Sequence, residues 1–176
     1  MRVRELMVRD VATCGPDTDF AQASRIMLEM DCGALPVVID RRVLGIVTDR
    51  DIAMRLASDA RSAREVRVAE VLKGPLHAIH PDDDCARALE IMAVNQLRRL
   101  PVVDSDLKLQ GMLTLNDFIL HVDKVRGVTE DDLSYLEVMG ALKAVSRHRV
   151  ATDNTKMSEA RTRTRRRARE ARLVRR

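Results

Sequence analysis

The sequence predicts an α+β fold: two βαββα units packed sheet to sheet about a pseudo-twofold axis, followed by one helix and a basic tail. Three observations predict it. The chain repeats itself, each copy carries an apolar stripe at helical spacing, and each copy holds two β-branched runs joined by a polar turn. At an offset of 65, Glu5-Leu6-Met7 falls on Glu70-Val71-Leu72, Pro16-Asp17 on Pro81-Asp82, Ile26-Met27 on Ile91-Met92 and Leu35-Pro36-Val37-Val38 on Leu100-Pro101-Val102-Val103. Beyond that point the offset is 66, and Gly45-Ile46-Val47-Thr48-Asp49-Arg50-Asp51 falls on Gly111-Met112-Leu113-Thr114-Leu115-Asn116-Asp117. An extra residue there is what a hairpin turn absorbs.

Each copy gives the same order of elements. A short extended piece runs up to Gly15-Pro16 or His80-Pro81, because proline disfavours helix in the residue before it. Asp17, Thr18 and Asp19, or Asp82, Asp83 and Asp84, then supply caps for a helix whose first copy repeats Phe20, Ala23, Ile26, Met27 and Met30 on one face. The runs LPVVID with VLGIVT, and LPVVD with LQGMLT, read as hairpins, and a second helix begins directly after Thr48 or Thr114. One copy buries too little surface to stand alone, so the pair shares its stability. The expected organisation is residues 1–60 and 66–125 for the repeats, 129–147 for an amphipathic helix and 148–176 for an Arg-rich tail.

Composition bounds the function. With 45% apolar residues and only 2% aromatic, the core is aliphatic, and the stacking platforms of single-strand binders are missing. No run of about 18 uncharged apolar residues occurs, and MRVRELMVRD lacks the apolar segment of a signal peptide, so a cytoplasmic protein without a membrane partner is expected. Cys14, Cys32 and Cys85 show no CxxC spacing, which indicates neither a disulfide framework nor a zinc site. The net charge of +4 conceals a division: residues 1–155 hold 21 basic and 25 acidic groups, whereas 156–176 hold 10 and 2. The body is acidic and the tail alone is strongly basic.

The informative motif is the strand-to-helix junction G-x-x-T-x-x-D, present in both copies. It places a hydroxyl and a carboxylate three residues apart at the positive end of a helix. Thr48 and Thr114 are placed to donate to a phosphate beside free main-chain N–H groups, and Asp51 and Asp117 to accept from a ribose diol. The same spacing is that of a capping box, in which the threonine and the acid satisfy each other's main chain.

The motifs P-D, A-x-x-x-M, L-P-V-V and G-x-x-T-x-x-D recur in fixed order twice, over about residues 1–123. In this the chain resembles the cystathionine-β-synthase (CBS) domain, and the pair resembles a Bateman module. The resemblance implies a non-catalytic regulatory module that binds an adenine nucleotide (AMP, ADP or ATP) or S-adenosylmethionine between the repeats, with no cofactor required. It assigns phosphate and ribose contacts to Thr48 with Asp51 and to Thr114 with Asp117. It sets the main chain of Gly33-Ala34 and Arg98-Arg99 against the base, and it implies a homodimer of pairs. The clefts differ, since Asp49-Arg50 lie inside the first junction and Leu115-Asn116 inside the second. By charge alone, Arg98 and Arg99 favour the second cleft for a multiply charged ligand. Binding would stabilise one arrangement of the repeats, which a partner or the C-terminal segment reads.

Other residues point to little chemistry. His77 and His80 face opposite sides of an extended segment, and His121 and His148 lack neighbouring ligands, so no metal site is expected. No nucleophile elbow, P-loop or H-E-x-x-H occurs, and no enzyme is expected. After the repeats, Tyr135, Val138, Met139, Leu142 and Val145 form a helical stripe that Thr129 would cap; it completes its own module or faces a partner, and the first is expected because self-burial needs no second chain. The rival function is a nucleic-acid-binding regulator. In it the repeats only dimerise the chain, and residues 156–176, with nine arginines, bind phosphates.

Overall fold

A computed structural model describes residues 1–122 and 134–146. The elements run α1 (Val3–Leu6), α2 (Phe20–Glu29), β1 (Ala34–Ile39), β2 (Arg42–Thr48), α3 (Asp49–Leu56), a 3-10 turn (Val68–Val71), α4 (Cys85–Asn95), β3 (Arg99–Val103), β4 (Leu109–Thr114), α5 (Leu115–Val122) and α6 (Tyr135–Ser146). The aspartate caps are where the sequence puts them. Asp19 accepts from the Gln22 amide at 2.8 Å, and Asp84 from the Ala86 amide at 2.9 Å, satisfying donors that a helix start leaves unpaired. Phe20, Ala23 and Met27 are buried and Ile26 packs against them, but Met30 is 56% exposed, because α2 ends at Glu29 and Met30 lies past its last turn.

Both hairpins are antiparallel and share one register, with a bulge at Val37/Val38 in the first and at Val102/Val103 in the second. The first turns through Asp40 and Arg41, both at positive φ, a geometry that matches the twist of the strands. The second turn is longer, and the Asp104 carboxylate organises it by accepting from the Asp106 and Lys108 amides. The extended piece expected at the start of each repeat is reduced to a single bridge, Cys14 beside Val37 and Ile79 beside Val102. The following proline and turn leave no room for a longer ladder.

The repeats interlock through their opening segments. Val3 and Arg4 donate to the carbonyls of Asp83 and Pro81 in the second repeat, whereas Val68 and Ala69 donate to Thr18 and Pro16 in the first. Each core is therefore built from both copies. Val3 and Met7 lie with Leu100, Leu113 and Phe118, and Val66 and Val68 lie with Phe20, Leu35 and Val47. The hairpins also meet at the bridge between Arg42 and Lys108. The thiols of Cys14 and Cys85 are pushed up to about 11 by burial, so both stay protonated and serve as apolar packing.

The C-terminal helix does complete the module, by a narrower stripe than the sequence suggests. Val138, Ala141 and Val145 join the second core and Leu142 packs beside it, but Tyr135 is 61% and Met139 38% exposed. Because α6 rests chiefly on α4, only the line of positions 138, 141 and 145 is covered, and the flank one step round the helix faces water. Its first turn is capped by Ser134, which exchanges hydrogen bonds with Glu137, and Thr129 lies outside the described residues. So do His148 and the Arg-rich segment 148–176. Among the described residues, no helix is long and apolar enough to cross a membrane.

The chain between the repeats is tied down by charge. Arg61 bonds Asp59 at 2.8 Å and Glu70 at 2.6 Å, and Arg55 reaches the same two acids at 3.1 and 3.0 Å. Hydrogen bonds from Arg61 hold both carboxyls below their usual range, Glu70 at about 2. A carboxyl depressed in the folded state stabilises it above the unfolded pKa, and that contribution is lost as the pH falls through the folded one. We therefore expect stability at neutral pH to drain away between about pH 4.5 and 2. Arg61→Gln should move the acid-unfolding midpoint, followed by circular dichroism, to higher pH. An unchanged midpoint would mean that this network leaves the fold indifferent.

Candidate functional site

The two strand-to-helix junctions are built alike. Residue 48 ends β2 and caps α3. The Thr48 amide and hydroxyl both donate to Asp51 Oδ2, at 3.0 and 2.6 Å, and the Asp51 amide donates back to Thr48 Oγ1 at 3.1 Å. At the second junction, the Thr114 amide and hydroxyl donate to Asp117 Oδ2, each at 2.7 Å, with the return bond from the Asp117 amide at 3.4 Å. The capping-box reading is thus fulfilled in both copies. It spends only one oxygen of each carboxylate. Among the described residues the other, Oδ1, receives no bond, and Asp51 is exposed while Thr48, Thr114 and Asp117 are half-buried. A box of this kind fixes the acid's direction, so its remaining lone pairs are aimed before any ligand arrives.

The residues ahead of each L-P-V run are brought to the same place. The Asp49 amide donates to the Gly33 carbonyl at 3.2 Å and the Leu115 amide to the Arg98 carbonyl at 2.9 Å. In register, Ala34 faces Thr48 and Arg99 faces Thr114. A methyl on Gly33 would lie 3.1 Å from Asp49 Oδ2, so this glycine lets the junction close against the preceding loop. Asp49 Oδ1 also takes the Arg50 amide at 2.6 Å. Arg50, Arg98 and Asn116 are exposed, and among the described residues no acid pairs with Arg50, Arg98 or Arg99. All eleven candidate residues therefore fall into two groups, one per repeat.

Sequence reasoning missed the opening segment that crosses onto each junction from the other repeat. Leu72 lies over Gly45, and Val8 pairs with Met112 beside Gly111. The signal was present in the glycine of G-x-x-T, a position where another chain approaches closely. A cavity of about 360 Å³ stands elsewhere, at the turn end of the second hairpin, walled by Leu76, His80, Asp83, Arg87, Val103 and Leu107, and no junction residue lines it. Among the described residues, no cluster of three metal-ligating side chains occurs.

The model of the CBS domain matches residues 3–58 and again 68–124. The CBS domain-containing protein YhcV of Bacillus subtilis is 34% identical over 119 residues, which are 68% of this chain and 84% of that protein. The inosine-5'-monophosphate dehydrogenase of Thermoplasma acidophilum is also 34% identical, but over 118 residues, 67% of this chain and only 23% of the enzyme. Among solved structures, the CBS domain pair of protein MJ0100, in complex with 5'-methylthioadenosine and S-adenosyl-L-methionine, superposes with a TM-score of 0.63 at 22% identity, covering 71% of this chain and 98% of that one. Two successive matches that coincide with the interlocked repeats and end on their junction helices place this chain in the CBS-domain family, as a tandem pair.

Proposed function

We propose that the pair is a non-catalytic sensor, taking an adenine nucleotide or S-adenosylmethionine against its strand-to-helix junctions. The observation that carries the reading is the pre-aimed acid. Asp51 and Asp117 are each held by a capping box with one carboxylate oxygen to spare, beside the main chain of Gly33 or Arg98. That arrangement suits the vicinal hydroxyls of a ribose, with the helix start favouring the attached anion. The MJ0100 pair, solved with two adenosyl ligands, supports the ligand class for this fold. The homodimer that the resemblance implies belongs to the same proposal, and the mass of the chain in solution tests it. Ligand binding would act by favouring one setting of the interlocked repeats over another.

Titration calorimetry with AMP, ATP and S-adenosylmethionine is the test. At least one should bind the unaltered chain, and the double variant Asp51→Ala, Asp117→Ala should lose about 100-fold or more in affinity, as removal of a charged hydrogen-bonding partner does. Undiminished affinity in the double variant would take these acids out of the account.

A further inference from the structure

We infer that the two junctions are unequal: the N-terminal segment closes the second with its own main chain, so each chain takes one adenosyl ligand, at the Thr48–Asp51 junction. The inference rests on the adenosyl reading above and says which site carries it. Ile46 and Met112 occupy the same place in their hairpins, opposite Pro36 and Pro101, and present their amide and carbonyl to the outer edge of the strand. At Met112 that edge is filled. The Val8 amide donates to the Met112 carbonyl at 2.9 Å, and the Met112 amide donates to the Val8 carbonyl at 2.8 Å. So close is the approach that a methyl on Gly111 would collide with the Val8 carbonyl.

At Ile46 the edge is open. The residue in the place of Val8 is Lys73, and among the described residues no bridge joins it to Ile46. What lies over Gly45 is the end of the Leu72 side chain, 3.0 Å from where a methyl would stand. A leucine tip turns aside by a rotamer change, whereas a main-chain pair leaves only when its strand detaches. Burial follows the same division, since Gly111 and Met112 are buried while Gly45 and Ile46 are half-buried.

The cause is legible in the two opening segments, Met7-Val8-Arg9-Asp10 and Leu72-Lys73-Gly74-Pro75. A β-branched valine between ordinary residues continues as an extended strand. Gly74 instead adopts φ +78°, and Pro75 has no amide to offer, so the second segment turns away before it can pair. The outcome is opposite to what Arg98 and Arg99 suggest by charge. Those arginines flank a junction whose strand edge is already taken.

Calorimetry on the full chain with AMP, and separately with S-adenosylmethionine, should give one ligand per chain, lost in Asp51→Ala. Val8→Pro removes the amide that bonds Met112 and should raise the count to two. Because that substitution also strains the fold, amide hydrogen exchange on the unaltered chain provides a readout that needs no ligand. The Val8 and Met112 amides should exchange at least about tenfold more slowly than that of Ile46. Two ligands on the unaltered chain, one ligand that survives Asp51→Ala, or a Met112 amide as fast as that of Ile46 overturns the inference while the adenosyl reading stands. Absence of binding by every adenosyl compound removes that reading instead, and the exchange comparison still decides whether the second junction is closed.

Discussion

Phe118→Ala should be the most damaging single substitution in this chain, costing about 3–5 kcal/mol. Phe118 is fully buried in the second core, among residues from the N-terminal segment, both strands of the hairpin and two further helices: Val3, Met7, Leu100, Leu113, Met92 and Val138. No one of those elements can move in to fill the void without leaving the others. With stability of about 5–15 kcal/mol to draw on, such a loss removes a large fraction of it. Thermal unfolding should shift down by roughly 10 °C or more. Because Val3 and Met7 belong to the first repeat by sequence, the two repeats should still unfold together. A first repeat that melts at its original temperature while the second is lost would contradict the interlocking of the cores.

Gly111→Ala should follow closely, at about 3 kcal/mol, and Gly45→Ala should cost far less although it alters the matching residue. At Gly111 the added methyl meets the Val8 carbonyl, so the strand must be displaced. Overpacking of this kind costs about 1–3 kcal/mol, and the two hydrogen bonds between Val8 and Met112 add about 1 kcal/mol each if they break. At Gly45 the methyl meets only the Leu72 side-chain tip. Chemical denaturation of both variants checks the contrast. Equal losses would show that the opening segments bear on the two junctions alike, against the difference seen between Val8 and Lys73.

Much of the molecule was legible because its determinants are local. Asp19 and Asp84 cap their helices by bonding amides two or three residues ahead, and the Asp40-Arg41 turn closes a hairpin whose strands are adjacent in sequence. The junctions were legible for the same reason, since Thr48 with Asp51 and Thr114 with Asp117 complete their boxes within one helical turn. The C-terminal helix was only partly legible. Spacing marks every apolar residue of a stripe, but the neighbour α4 decides that Val138 and Val145 are covered and Tyr135 is not.

What the sequence determined by itself is the repeat, the order of elements within each copy, and the paired hydroxyl and acid at each junction, because each depends on contacts within a few residues. Only the tertiary structure decided that each opening segment is built into the other repeat, and that Val8 pairs with Met112 while Gly74 and Pro75 turn the matching segment away from Ile46. Those contacts join residues about 45 to 105 positions apart. No periodicity or motif within one copy can specify which distant strand edge is left unpaired, since that is settled by the packing of the whole.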